Sequence, residues 1–542
     1  MKPTLRHTRW SVLAVAAVLA AAGCGGNGRR SERPITAPLT VNTSSGRLHG
    51  LATPTAHQFL GIRFAQPPTG ARRWKAPQPV SAATGTTQAT KPGPRCAQAA
   101  ATPGAKAATT EDCLFLNVTT PRDRRPGEKL PVMVWWHGGG YTTGAGSDYD
   151  AQRLASQGRV IVVTANYRLG AFGYFGLKGL PGSGTFGLAD QLASLRWADS
   201  NARAFGGDPG NVTVFGESAG AMSTCAVLSS PKARGLVDKA AVMSGSCLLD
   251  WFPGALYPGA PNETPYKPLA TDEADGARVA ASVGCGHGNA AAKLACLRSL
   301  PASDVVKLNN DFADHLSYGT DLLPGNPATA LRRGDFAHVP VLSGGNKDEA
   351  RSFVGGALRA DPAAVTAATY PKLLAAAFGD RAADVAAVYP VKKYGSAALA
   401  WSTVITDGAW TCPTLAGDRA LAARTTVYAY EFADPQAPNV NGLKVPGLPL
   451  GASHATDLPS LFDLGGKSLL RTGGQQALSS RMIDYWSSFA HDGRPVAPKA
   501  PSWSRATAGT APAKDVLQLT PSGDRMVDAA AAHHCAFWQD IR

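Results

Sequence analysis

The chain is poor in charge. Asp, Glu, Lys and Arg make up 17% of its 542 residues, against 44% apolar residues. That balance can bury a large core and argues against a disordered chain. There is no dense Lys/Arg run interleaved with aromatics, so nucleic acid is not an expected partner. There is no CxxC pair and no histidine at zinc-finger spacing from a cysteine, which argues against a structural zinc. No Gly-Lys-Ser/Thr follows the glycine-rich loop at 138–146, so that loop does not read as a nucleotide cradle. Neither a metal nor a cofactor is expected. No fixed-period repeat and no long linker occurs beyond residue 35. What the chain has in quantity is Gly (59) and Pro (40), the residues of tight loops.

The N-terminus carries its own message. Lys2, Arg6 and Arg9 precede an almost wholly apolar run from Trp10 to Ala22. That run is too short to span a bilayer as a helix and has the layout of a cleaved export signal. It ends in Ala21-Ala22-Gly23-Cys24, which resembles the end of a bacterial lipoprotein signal, with Ala21 where the usual pattern has Leu. The expectation is a signal peptide over 1–23, a lipidated Cys24, a flexible tether over 24–37 and a catalytic domain over 38–542. The protein would then be exported and held by lipid at the outer face of the cell membrane, with plain secretion as the alternative. The net charge is +14, and losing Lys2, Arg6 and Arg9 takes off three to leave +11, which suits an anionic envelope. Setting Cys24 aside leaves eight of the nine cysteines. An even number in an exported chain favours disulfides.

Short apolar runs alternate with helical stretches. Residues 130–136, 159–166, 211–215, 239–243, 339–342 and 425–432 read as strands. Their nearly continuous apolar character fits a sheet covered on both faces. Residues 187–205 and 218–228 read as helices. Such alternation implies an α/β fold with a mostly parallel central sheet. Residues 248–338 and 350–420 lack strict alternation, with helical patches such as 363–377, and read as cap insertions over the C-terminal edge of the sheet, where ligands of such folds bind.

The motif Gly216-x-Ser218-x-Gly220 lies between a strand and a helix. A serine at that turn takes strained backbone angles that expose its hydroxyl as a nucleophile. Gly138-Gly139-Gly140 follows the strand 130–136. Consecutive glycines let N–H groups approach a substrate oxygen, so Gly139, Gly140 and Ala219 are the expected oxyanion donors. The base should follow the acid in sequence. His454 lies in a small-residue loop and is the candidate. His491 reads as a helix cap, and His533 and His534 adjoin Cys535. The acid should follow a strand, and the spacing allows either Asp348 or Glu349.

With these residues in place, the chain resembles the type-B carboxylesterases, the group of cholinesterases and bacterial para-nitrobenzyl-type esterases. The likeness runs from about residue 38 to 540. It rests on Phe59-Leu-Gly-Ile-Arg-Phe-Ala-Gln-Pro-Pro, Glu111-Asp-Cys-Leu-Phe-Leu-Asn-Val, Asn166-Tyr-Arg-Leu-Gly-Ala-Phe-Gly, the Ser218 motif, Asn346-Lys-Asp-Glu and Cys535-Ala-Phe-Trp. The resemblance implies an α/β-hydrolase that cleaves small carboxylic esters through an acyl-enzyme intermediate. It makes Glu349 the acid, although Ala350 replaces the family's usual Gly. It also implies that Glu217 and Asp457 lie near the triad, that Arg73 pairs with Glu111, and that Cys96–Cys113, Cys285–Cys296 and Cys412–Cys535 are bridged. A fourth bridge, Cys225–Cys247, is expected from a helix packed on the strand that follows it, the alternative being two buried free thiols. Cholinesterases carry a tryptophan between the first two paired cysteines. Here the stretch from Cys96 to Cys113 holds no aromatic residue, so no choline specificity is expected. A binding protein on an inactive scaffold is the rival, and the complete Ser218, His454 and Glu349 set argues against it. A lipase with an exposed apolar lid is the other alternative.

Overall fold

The computed structural model describes residues 35–100, 106–125, 127–509 and 513–541. The signal segment, Cys24 and most of the tether lie outside the described residues. Ile35–Thr36 pairs with Asp123–Arg124, so the folded chain starts inside the stretch expected to be tether.

An eleven-stranded sheet organises the molecule. Its strands are β1 (Leu51–Ala52), β2 (Ala56–Arg63), β3 (Phe115–Pro121), β4 (Leu130–Trp136), β5 (Ile161–Ala165), β6 (Gly207–Glu217), β7 (Lys239–Met243), β8 (Val341–Asn346), β9 (Val427–Phe432), β10 (Val516–Leu519) and β11 (Arg525–Val527). Their order is β11-β10-β9-β8-β7-β6-β4-β5-β3-β2-β1. The run from β10 to β5 is parallel, and both margins are antiparallel. The expected mostly parallel sheet is therefore present, with antiparallel strands added at its edges.

The pleat explains the unbroken apolar runs. In β4, Val132, Val134 and Trp136 enter the core on one face, while Met133 and Trp135 enter the core on the other. All are buried, because helices cover both faces. Helix α1 (Phe186–Asn201) and helix α2 (Ala219–Leu228) lie close to the expected spans. Helix α3 (Arg351–Ala360) opens the stretch 350–420 expected to be an insertion, and α4 (Gly473–Asp492) follows the His454 loop. The patch read as helical over 363–377 is helical only from Tyr370 onward. Turns occupy the residues before it, where the Thr369 hydroxyl accepts the Thr366 N–H and the Thr366 hydroxyl accepts the Thr369 N–H. His491 is not a helix cap: α4 runs through it and ends at Gly493 with φ 69°. Its imidazole instead meets the Gly158 carbonyl at 3.1 Å.

All four expected disulfides are formed, with Cα–Cα separations of 4.9 Å (Cys96–Cys113), 5.5 Å (Cys225–Cys247), 5.5 Å (Cys285–Cys296) and 5.3 Å (Cys412–Cys535). Arg73 meets Glu111 through two hydrogen bonds of 2.6 and 2.7 Å, the planar fork geometry of a strong ion pair. Among the described residues no helix is long and apolar enough to cross a membrane.

Candidate active site

The strand order reverses around β4, whose neighbours are β5 on one side and β6 on the other. Crevices form at such a switch point, and the two glycine motifs meet there. Ser218 is the single residue between β6 and α2, with φ 55° and ψ −124°. Holding a non-glycine residue there costs roughly 1–3 kcal/mol. The Ser218 N–H donates to the Met243 carbonyl at 3.0 Å. The flanking glycines are required by space. A Cβ on Gly220 would stand 1.9 Å from the Trp136 carbonyl oxygen, and one on Gly216 would stand 2.5 Å from the Gly220 carbonyl carbon. The Ser218 hydroxyl is half-buried and makes no hydrogen bond among the described residues.

The loop after β4 presses against this turn, since a Cβ on Gly138 would stand 2.9 Å from that of Ser218. Gly139 and Gly140 both have positive φ, 101° and 57°. Among the described residues, the N–H groups of Gly139, Gly140 and Ala219 donate to no protein acceptor. Ala219 opens α2, so the helix N-terminus adds its partial positive charge. His137 is stacked on Tyr167 at 4.4 Å. Burial pushes its imidazole down to about 4, so it is neutral beside the loop.

Glu349 and His454 come together. The imidazole Nδ1 lies 2.7 Å from Glu349 Oε2. The other carboxylate oxygen accepts the Ser244 hydroxyl at 2.5 Å and the Asn346 N–H at 2.7 Å. Asp348 turns away. It pairs with Arg351 at 2.8 Å and accepts the Ala452 N–H at 3.0 Å, which ties the His454 loop to the turn after β8. His454 and Ser218 form no hydrogen bond with each other. Instead Nε2 lies 3.1 Å from Glu217 Oε1, outside hydrogen-bonding geometry, so that oxygen is buried without a bonded partner. Asp457 accepts from Tyr430 at 3.1 Å and Asn346 at 3.4 Å.

One imidazole thus sits among three buried carboxyls. Burial pulls His454 down, but Glu217, Glu349 and Asp457 outweigh it and lift the imidazole to about 9. Burial lifts Glu217 to about 8, with Asp457 and Glu349 adding to it and His454 opposing. Burial, reinforced by Glu349, lifts Asp457 to about 6. The first two shifts are linked. A protonated Glu217 no longer supplies the charge that raises His454, so His454 beside a neutral Glu217 titrates below that value. The direction is upward for both.

Two aromatic residues flank the imidazole. Phe353 of α3 lies 5.0 Å from its ring centroid, and Trp410 lies 4.9 Å away. The two stack on each other at 5.4 Å. Trp410 sits in a π-helical segment, Thr406–Thr411, a form common at functional sites. Both residues come from the stretch 350–420 expected to be an insertion. Neither carried a sequence signal, because their contact with His454 exists only in three dimensions. Ser244, which follows β7 at a φ of 53°, was missed for the same reason. Asn346 stood beside Glu349 in the Asn-Lys-Asp-Glu motif and could have been named from it.

Comparison with known proteins places nearly the whole chain beside esterases. A model described as the carboxylesterase family matches residues 37–538. The chain is 32% identical to the para-nitrobenzyl esterase of Bacillus subtilis (strain 168), over 84% of this chain and 90% of that protein. It is 31% identical to the acetylcholinesterase of Bungarus fasciatus, over 92% and 86% of the two chains. A solved structure titled thermophylic PNB esterase superposes with a TM-score of 0.74 at 29% identity, covering 92% of this chain and 99% of that one.

Proposed function

Because this chain belongs to the carboxylesterase family and is a carboxylic ester hydrolase of the α/β-hydrolase fold, we propose that it works through Ser218, His454 and Glu349 by way of an acyl-enzyme. The observation that carries this reading is the division of labour on one imidazole. Nδ1 is fixed by Glu349 at 2.7 Å, while Nε2 makes no hydrogen bond and lies 3.1 Å from Glu217 Oε1. Substrate binding brings the Ser218 hydroxyl and Nε2 into reach, as catalytic contacts tighten in the complex. The serine oxygen bonds to the ester carbonyl carbon and its proton passes to Nε2. The carbonyl oxygen takes the negative charge and is received by the N–H groups of Gly139, Gly140 and Ala219. The ester C–O bond then breaks, and Nε2 returns the proton to the departing alcohol. Water repeats the sequence on the acyl-serine and releases the acid. The test is rapid-mixing kinetics with a nitrophenyl ester, joined to mass spectrometry of the quenched enzyme. A burst of nitrophenol with the acyl mass on the peptide containing Ser218 is expected. Single-phase release with no acylated peptide rejects the mechanism.

The N-terminal sequence supports a second proposal. The charged start, the apolar run and Cys24 suit export, signal removal and a lipid anchor, with the catalytic unit on the outer face of the membrane. An inhibitor of lipoprotein signal peptidase should leave a larger precursor in the producing cell. A mature protein that starts elsewhere and partitions into buffer rather than detergent overturns the anchor. The absence of aromatic residues between Cys96 and Cys113 supports hydrolysis without preference for choline esters.

A further inference from the structure

Asp314 belongs to the first insertion and takes a left-handed backbone conformation, φ 60°, which Asp tolerates better than most residues. That conformation turns it onto the oxyanion loop. Its N–H donates to the Gly140 carbonyl at 3.1 Å. Its Oδ1 lies 2.6 Å from where a Cβ on Gly140 would stand. The carboxyl is only partly exposed, and no hydrogen bond or ion pair within the described residues satisfies either oxygen. A carboxyl so placed is expensive. It is also badly placed for simple ester hydrolysis, because a negative charge beside Gly140 opposes the oxyanion that Gly140 is proposed to receive. A group with that cost and no internal partner suits a ligand that supplies the partner.

We propose that Asp314 is a specificity-determining residue that selects esters carrying a protonated amine a few bonds from the scissile carbonyl. The inference rests on the ester-hydrolase site described above and names its substrate class. The ammonium N–H donates to the free carboxylate, and its charge cancels the repulsion between Asp314 and the oxyanion. The amine must carry an N–H. A quaternary ammonium has none, which agrees with the lack of an aromatic face for choline between Cys96 and Cys113. The groups that act on Asp314 are Glu263, His315, Lys267 and His454. Burial and Glu263 raise its carboxyl to about 6, with His315, Lys267 and His454 opposing. Asp314 is therefore ionised above that pH and neutral below it.

The experiment compares kcat/KM for matched esters in the full mature chain. One pair is dimethylaminoethyl acetate against isopentyl acetate. The other places the amine in the acyl arm, as ethyl dimethylaminobutanoate against its branched hydrocarbon isostere. At pH 7.5 the wild type should prefer the amine by about tenfold or more in one arm, the effect of a hydrogen bond to a charged group. Asp314→Asn should bring that ratio to near one and raise turnover of the neutral ester. Should the variant fail to fold, the wild type carries a second test. The ratio should fall as pH drops through about 6, while titration of His454 cancels between the paired esters. An amine preference below twofold in both arms, or a ratio unmoved by Asp314→Asn or by pH, overturns the proposal. Failure to hydrolyse any of the four esters rejects the ester-hydrolase reading instead.

Discussion

Two histidines of this molecule sit between pairs of buried carboxyls, and they are held differently. His533 is bonded at both nitrogens, to Asp407 at 2.6 Å and to Glu431 at 2.6 Å. Asp407 also accepts the Tyr389 hydroxyl at 2.8 Å, and Glu431 accepts the Gln518 amide at 2.6 Å. Burial opposes charge on His533, but the two carboxylates overcome it and carry the imidazole to about 10. His454 has one nitrogen held by Glu349 and the other merely near Glu217. A histidine with both nitrogens engaged in a closed ion triple is a fastener. A histidine with one nitrogen fixed and one uncommitted can carry a proton. Composition and neighbouring charge are alike in the two clusters, so hydrogen-bond geometry separates structural from chemical use.

Breaking the chemical cluster should have the largest effect. Ser218→Ala removes the nucleophile, and kcat for a nitrophenyl ester should fall by about 10⁶-fold with the thermal unfolding curve preserved. Glu349→Gln keeps the shape but leaves Nδ1 without its carboxylate, and kcat should fall by about 10⁴-fold. A loss below tenfold in that variant would transfer the acid role away from Glu349.

Breaking the structural cluster should act on stability. His533→Ala leaves Asp407 and Glu431 buried without their cation, at a cost of about 3–5 kcal/mol measured by denaturant unfolding. The pH dependence has a definite sign. A histidine raised in the folded state contributes stability that is complete below its ordinary value of 6.5 and is lost as pH rises toward about 10. Tm should therefore decline across that window in the wild type, and the decline should be smaller in His533→Ala. The Cys225–Cys247 bridge spans a sequence separation of 22. Its removal by the double Cys→Ala variant should cost about 3 kcal/mol in the chain-entropy account, again read by unfolding.

The same contrast marks what the sequence could reveal. The Ser218 turn was legible because backbone strain demands small neighbours within two residues, and the pattern is local. The central strands were legible because burial on both faces leaves an unbroken apolar run. The carboxylate that meets His454 was legible only as a pair, since Asp348 and Glu349 differ in which way each side chain leaves the turn after β8. That direction is set by the Ala452 amide and the Ser244 hydroxyl, distant in sequence. Phe353, Trp410 and Asp314 were not legible at all. Each comes from an insertion without strict periodicity, and each owes its place to a contact with a loop far away in the chain. His533 could be seen beside Cys535, but its partners Asp407 and Glu431 lie on separate elements, so nothing local distinguished it from a surface histidine.

The smallest predicted effect concerns Glu217, and it tests the comparison most directly. Two carboxyls flank each histidine, yet only at His454 is one of them uncommitted. Glu217 is lifted to about 8 by burial and by its acidic neighbours, so it binds a proton through the neutral range and releases it as pH rises. Ionised Glu217 favours the imidazolium and opposes its use as a base. Glu217→Gln removes that charge at every pH while keeping the shape. His454 then loses one of the groups that raise it, so its proton leaves at lower pH. General-base catalysis needs the neutral imidazole. The acid limb of the kcat/KM profile should therefore move to lower pH in Glu217→Gln, with a plateau rate within about tenfold of wild type, the scale of one modest electrostatic contact. Profiles from pH 5 to 10 on one neutral ester measure it. A limb that stays in place means Glu217 does not act on His454 in the working enzyme. A limb that moves upward means Glu217 holds the imidazole by donating its own proton to Nε2.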